Sequence, residues 1–275
     1  MIPDTVITSK GQSLAWKIRE ILRYRDLFVM LTVRDFKVRY AQTALGFLWA
    51  FVQPVAILII LTIVFERAFH VETVVPYPLF AASGLIVWTY FAFVLSQAGT
   101  SVISGQELVR KVYFPRVILP MAKGLLGLVD LCIALVILIV LMIYFKSTLS
   151  ANVVVLPLFL LAGLLVSVGV GLWVSALAVR YRDILHVIPF LVQFGLYATP
   201  VAYPAERVIE NLPTWAAWGY YVNPMAGVIE GVRWSLWGGP IHIELTVLSL
   251  VVGLLIFISG LTFFNRLEPR MADIV

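Results

Sequence analysis

ALGFLWAFVQPVAILIILTIVF, residues 44–65, runs without a single charged side chain. About 20 apolar residues in helical form cross the hydrocarbon core of a bilayer, so this stretch already points away from a water-soluble core. Working outward, the pattern repeats. Pro78 to Val102 holds a second such segment, Gly124 to Phe145 a third interrupted only by Asp130, and Val153 to Val179 a fourth. Ile184 to Tyr203 makes a fifth and Leu245 to Phe264 a sixth. Of the 275 residues, 61% are hydrophobic and 13% charged, whereas soluble domains run near half and a quarter. A soluble core of this length has no room for so much apolar surface, which leaves lipid as the solvent.

Asn211 to Ile229 is also apolar but reads differently. It contains Pro213 and Pro224 and the aromatic side chains Trp215, Trp218, Tyr220 and Tyr221. Proline breaks the helical hydrogen-bond ladder, and amphipathic aromatics favour the membrane–water boundary. Two short half-inserted helices fit this composition better than a seventh span. The expected fold is all-α: a polytopic membrane protein with six transmembrane helices, an N-terminal amphipathic interface helix and two short re-entrant helices before the last span. In chain order this gives one transmembrane domain: an amphipathic segment over 1–43, a six-helix bundle over 44–264 and a tail over 265–275. Within the bundle lie a charged loop over 103–120 and a re-entrant region over 204–238.

Charge orients the chain. Sixteen of the 20 Lys and Arg residues fall in the N-terminal segment, the 103–123 loop, the 180–182 turn and the tail. The opposite loops hold Arg67, Lys146, Arg207 and Arg233. The positive-inside rule puts both termini in the cytoplasm, and the basic balance is then a matter of orientation and anionic lipid, with no need of nucleic acid. The polar first 43 residues lack the short apolar core and small-residue cleavage site of a removable signal peptide, so targeting is expected to rest with the first span. Cys132 alone forms no disulfide framework within the chain, and His70, His186 and His242 are too scattered for a ligand cluster.

Four further features carry possible function. In LAWKIREILRYRDLF (14–28), Leu14, Ile18, Ile21 and Leu22 share a helical face that Lys17, Arg19, Glu20 and Arg23 mostly avoid, the pattern of an interfacial helix. In SGQELVRKVYFPRVILP (104–120), Ser104 with Glu107 makes a capping-box pattern, Arg110 and Lys111 suit a helix end, and Pro115 stops it. A charged helix there serves either as a solvated connector or as a surface for an external motor. Gly163, Ser167 and Gly171 suit close helix packing. Asp130 stands alone inside a span, which favours a structural hydrogen bond over a proton relay. Phe47 with Phe51, and Phe190 with Phe194 and Tyr197, form aromatic stripes suited to packing, to lipid, or to sugar faces.

No phosphate-cradling G-x-x-x-x-G-K-[ST], no G-x-S-x-G and no H-E-x-x-H occurs. The chain is thus expected to borrow its energy coupling. Proton coupling through Asp130 and a membrane transferase using Glu206 and Glu210 are the readings from other classes.

Several segments together resemble the permease subunits of polysaccharide-exporting ABC transporters, which handle O antigens, capsules and teichoic acids. They are LTVRDFKVRYAQTALGFLWAFVQP (31–54), ELVRKVYFPRVILP (107–120), LAVRYRDILHVIPFLVQFGLYATPVAYP (177–204), NPMAGVIEGVRWSLWG (223–238) and the tail NRLEPRMADIV. The resemblance implies a homodimer in the bacterial inner membrane that binds two copies of a separate ATPase. ATP and Mg would then belong to the partner, with no cofactor in this chain and no nucleic acid. It implies a glycan substrate on undecaprenyl diphosphate. It also implies that the 104–116 loop is the ATPase-coupling helix, with Glu107, Leu108, Arg110, Lys111 and Tyr113 as contacts. Arg34, Lys37 and Arg39 would attract the lipid diphosphate. Phe47, Phe51, Phe190, Phe194 and Tyr197 would line a glycan channel, and Trp215, Trp218, Tyr220 and Tyr221 would belong to a gate. A permease for a drug or a lipo-oligosaccharide is the nearest rival.

Overall fold

A computed structural model of the chain describes residues 22–40 and 46–274, and the described residues are helical apart from short connections. The start of the proposed amphipathic helix, residues 14–21, lies outside them. The helices are α1 (Arg25–Tyr40), α2 (Gly46–Ala68), α3 (Tyr77–Ser104), α4 (Gln106–Lys111) and α5 (Ile118–Phe145). They continue with α6 (Ala151–Arg180), α7 (Ile184–Ala198), α8 (Ala205–Asn211), α9 (Thr214–Tyr221), α10 (Pro224–Trp237) and α11 (Ile243–Ile274). Five of them, α2, α3, α5, α6 and α11, are long and apolar enough to cross a membrane.

The sixth expected span is not a long helix. The α-helix of α7 covers 15 residues and stops at Ala198, a length of about 22 Å against a hydrocarbon core of about 30 Å. Thr199 to Pro204 continue the path as non-helical chain. The path nevertheless closes at the end where it began, because Leu31 of α1 shares one buried cluster with Phe264 and Met271 of α11. That cluster also takes Val102, Val109, Phe114, Ile118 and Val179. It defines one end of the bundle, which we call the basic end after the Arg and Lys residues of α1, α4 and the 180–182 turn. The other is the far end.

Helix α3 is the hub. Of its most apolar stretch 72% is buried, against 17% for α2, so of the five long helices α2 is the one this chain leaves least covered. In lipid, apolar side chains gain little by leaving the solvent, and close backbone approach does more of the work. Helix α6 shows it on two faces. Gly163 faces Val87 and Val228, and Gly171 faces Ala98 and Val94, so the small-residue stripe read from sequence packs mainly on α3. On another face, a Cβ on Gly260 of α11 would run into the Gly169 carbonyl oxygen, so these two helices touch backbone to backbone.

The region before the last span holds three short helices, not two. Pro213 caps the start of α9 and Pro224 is the first residue of α10. Both prolines act as helix starters, where a missing N–H costs nothing. The turn between α9 and α10 is held by Ser249 Oγ, which donates to the Tyr221 carbonyl at 2.6 Å. Pro224 lies beside Gly253, so the hairpin dips about two to three turns below the start of α11. Helix α10 then climbs back, and its Leu236 carbonyl meets the Ser150 amide at 2.8 Å. Met225, Val228, Ile229 and Val232 are fully covered, which makes α10 core and not a half-inserted surface helix.

Candidate functional site

The basic end presents α4. Val109 and Phe114 plug it into the cluster shared by α1, α5, α6 and α11, while Glu107, Arg110, Lys111 and Tyr113 stay exposed and Leu108 is half-buried. Glu107 and Lys111 pair across one helical turn at 2.9 Å. The capping box does not form. Helix α3 continues through Ser104, whose hydroxyl donates to the Ser101 carbonyl, and Gly105 occupies the N-cap position of α4 without a side-chain cap. The helix thus begins one residue later than the capping-box pattern predicts, with Glu107 in its first turn and Arg110 and Lys111 in its last. After α4 the chain is tied to the last helix, where Glu268 accepts the Arg116 amide at 2.7 Å.

Two ion pairs run between α1 and α5. Lys123 Nζ donates to Asp35 at 2.6 Å, and Arg39 Nη1 donates to Asp130 at 2.7 Å. Asp130 is therefore not alone, contrary to its sequence neighbourhood, and the pairing explains a carboxylate in an apolar helix without a proton relay. The pairing also redistributes the expected basic cluster. Arg34 is half-exposed beside Asp35 at 2.8 Å, Arg39 is paired with Asp130, and Lys37 is exposed. Burial pushes the Asp35 carboxyl up, but the hydrogen bonds and charges of Lys123 and Arg34 outweigh it and hold the group below its ordinary value.

The aromatic stripes lie on one open side. Phe190, Phe194 and Tyr197 of α7 are exposed, with the two phenyl rings stacked at 5.9 Å between centroids. Phe47 of α2 is exposed and meets Phe51 edge to face at 5.7 Å. Beside them, between α2, α3 and α7, is a cavity of about 360 Å³ whose walls include Arg39, Gln53, Trp88, Ser96, Asp130 and Gln193. None of the five stripe residues lines it. The stripes face outward from the chain, and the cavity runs along their polar flank.

At the far end the four expected gate aromatics separate. Trp215 and Trp218 are exposed, Tyr220 is half-buried with its hydroxyl 3.3 Å from that of Tyr203, and Tyr221 is buried in the core. Trp218 borders a hollow of about 470 Å³ that also includes His242 and Glu244. The anchor of this end is Arg233, which the charge count places in a loop and the structure places in helix α10. It is 5% exposed and donates to the Pro200 and Val201 carbonyls at 2.5 and 2.6 Å and to Glu230 at 2.7 Å. The Phe80 ring lies 3.6 Å from its guanidinium carbon. Gly84 makes room, since a Cβ there would come within 2.9 Å of the guanidinium. With Arg233 removed from the loops, the charge asymmetry between the two ends becomes larger still.

Apolar helices of spanning length, a basic end with a charged helix rooted in the core, and an open aromatic side define a polytopic membrane protein. The chain belongs to the ABC-2 type transporter family, whose sequence pattern matches residues 26–237, from α1 to the end of α10. It is a permease of that family, homologous at modest identity to polysaccharide exporters. An O-antigen export system permease protein, RfbA, of Klebsiella pneumoniae is 28% identical over 91% of this chain and 95% of its own length. A Myxococcus xanthus protein of the same name is 27% identical over 70% of this chain and 73% of its own. The polysialic acid transport protein KpsM of Escherichia coli is 24% identical over 88% and 93%.

Proposed function

We propose that two copies of this chain form the membrane pathway of an ATP-driven exporter of a lipid-linked polysaccharide across the cytoplasmic membrane. The polymer is O-antigen-like and carried on undecaprenyl diphosphate, and ATP and Mg act on a separate ATPase subunit. The observation that carries the reading is the near full-length similarity to permeases named for O-antigen export. The geometry supports it at three places.

At the basic end, taken as cytoplasmic by the charge asymmetry, the ATPase docks on Glu107, Leu108, Arg110, Lys111 and Tyr113. Because Val109 and Phe114 are packed with residues of α1 and α11, a push on α4 moves those helices together; a close-packed cluster transmits displacement with little compression. In the membrane, α7 with residues 199–204 completes the sixth crossing, which puts both termini on the same side. The open sides of α2 and α7 face the second copy, and Phe47, Phe51, Phe190, Phe194 and Tyr197 line the pathway between them. Exposed Lys37, with Arg34 beside it, attracts the lipid diphosphate through charge, while Arg39 is already committed to Asp130. The α8–α10 region with Trp215 and Trp218 gates the far end.

The test is co-purification from membranes through a tag on this chain, followed by ATP-dependent glycan transport in vesicles. The reading expects an ATP-binding subunit in equal amount, lost on charge reversal at Glu107, Arg110 and Lys111. A chain that purifies alone under gentle detergent, and transports nothing on ATP, refutes it.

A further inference from the structure

Gln53 of α2 and Gln193 of α7 line the same cavity between α2, α3 and α7. Neither side chain has a hydrogen-bond partner among the described residues. Both glutamines are exposed, so each carboxamide stands open in an apolar crossing segment and is available to bond an occupant. Here two such groups, from two helices, converge on one space. Ser96 of α3 adds a hydroxyl, Trp88 an apolar indole wall, and the Arg39–Asp130 pair closes the end toward α1 and α5.

The chemistry of the lining selects the ligand. Among the described residues the one cation and the one anion on the wall are paired at 2.7 Å, so they give the cavity donors and acceptors but no net charge to offer a diphosphate. A carboxamide presents both an N–H pair and a carbonyl oxygen, and a hydroxyl both donates and accepts. Carboxamides, a hydroxyl, an internally neutralised ion pair and an aromatic wall together suit a neutral polyol. At about 360 Å³ the cavity is at the small end of ligand sites and suits a short sugar segment, not a chain.

Resting on the exporter reading above, we infer that this cavity is a sugar-recognition subsite within each protomer, beside the aromatic pathway, in which Gln53 and Gln193 hydrogen-bond the hydroxyls of an uncharged pyranose unit of the polymer. The aromatic stripe lets the polymer slide on ring faces, and the carboxamide pair reads which sugar is passing. Specificity then sits on the α2 and α7 flanks that border this cavity, not on the stripe.

The experiment replaces Gln53→Leu and Gln193→Leu, singly and together, and measures ATP-driven glycan transport in vesicles containing the partner ATPase, alongside thermal unfolding. Loss of hydroxyl recognition should lower transport by about tenfold or more in the double variant, since sites built to bond hydroxyls depend on them. Thermal stability should hold or rise, because the substitutions remove unpartnered polar groups from apolar helices. Transport at the wild-type rate overturns the inference, and so does a transport loss that follows a fall in stability, which marks the glutamines as structural. Charge reversal on α4, measured in the same vesicles, reports on the exporter reading independently. Wild-type vesicles that move no glycan on ATP would end that reading itself, a result distinct from failure of the glutamine variants.

Discussion

The two ends of the bundle are both fastened by ion pairs, but in opposite ways. At the far end Arg233 and Glu230 lie three residues apart on one helix, and the side chains of both are almost fully covered, at 6% and 12% exposure. Arg233 spends its other donors on the Pro200 and Val201 carbonyls, which fixes the chain just past α7. At the basic end the pairs join different helices, α1 to α5: Lys123 and Asp35 are nearly as covered, at 14% and 11% exposure, and only Arg39, at 31%, is open. One arrangement fixes a chain path within one helix and its neighbouring corner, and the other holds two separate helices together, with Arg39 its one partner open to water and ions. Moving parts of a coupled machine are drawn from the less stable contacts, so α1 is the element placed to move and the 199–201 corner the one placed to stay.

The largest effect expected from this contrast is at Arg233. Removing one partner of a buried pair leaves the other charged and unpaired, at a cost of about 3–5 kcal/mol. Arg233→Met should therefore destabilise the protein severely in thermal unfolding, and it also orphans two buried carbonyls. A double change, R233M with E230M, should recover part of the loss because no lone charge remains. If R233M unfolds like the wild type, the far end is not the fixed end.

At the basic end the expected loss is smaller. Asp130→Asn should cost about 1–2 kcal/mol, between the values for buried and exposed pairs. The charge swap R39D with D130R should restore most of it, and a double-mutant cycle measures the coupling. A cost for D130N as large as that for R233M would erase the contrast between the ends.

The second basic-end pair makes a pH prediction. Asp35 is held below its ordinary pKa in the folded protein, so its stabilisation is complete above the unfolded carboxylate range of about 3.9. It fades as the pH falls through the lowered folded value. Stability should thus be insensitive to Asp35 between neutral pH and about 5, and acid-sensitive only below. Asp35→Asn should be less stable at pH 7 and should show a flatter acid limb. An Asp35→Asn curve parallel to that of the wild type would show that Lys123 does not depend on it.

These contrasts also separate what sequence carries from what it does not. The five long helices were legible because crossing lipid imposes a length of apolar residues that nothing else in the chain mimics. The end of α7 is signalled by Pro200, which disfavours helix at Thr199, but the path beyond it is set by Arg233, 32 residues or more away in sequence. Glu230 and Arg233, three apart in an apolar run, were a readable signal that the loop assignment passed over. The α1–α5 pairs join residues 88 and 91 positions apart, which no local pattern reports. Pro213 and Pro224 divide this stretch into short helices, as their ladder-breaking chemistry predicts, and the structure sets each of them at a helix start. The exposed face of α4 was legible because its charges sit on one short turn-bounded segment. The unpartnered state of Gln53 and Gln193 becomes visible only when three helices define a cavity.

The smallest stability effect is expected at α4, and there function and stability should come apart. Glu107 and Lys111 are each 73% exposed, and exposed pairs one helical turn apart contribute only about 0.3–0.5 kcal/mol. Exchanging them, E107K with K111E, keeps the pair and the net charge but sets both charges against the helix dipole, so stability in thermal unfolding should fall by about 0.5–1 kcal/mol at most. What changes is the charge pattern shown to a partner. Electrostatic complementarity sets specificity and association rate, so retention of the ATPase during purification should fall sharply while the bundle stays intact. Val109→Asp inverts the logic: a buried charge in the shared cluster should weaken folding and partner binding together. If the exchange leaves ATPase retention untouched while Val109→Asp abolishes it, then what the partner reads is the seating of α4 in the core and not its surface charge. The open, water-reached contacts of the basic end would in that case serve position and not recognition.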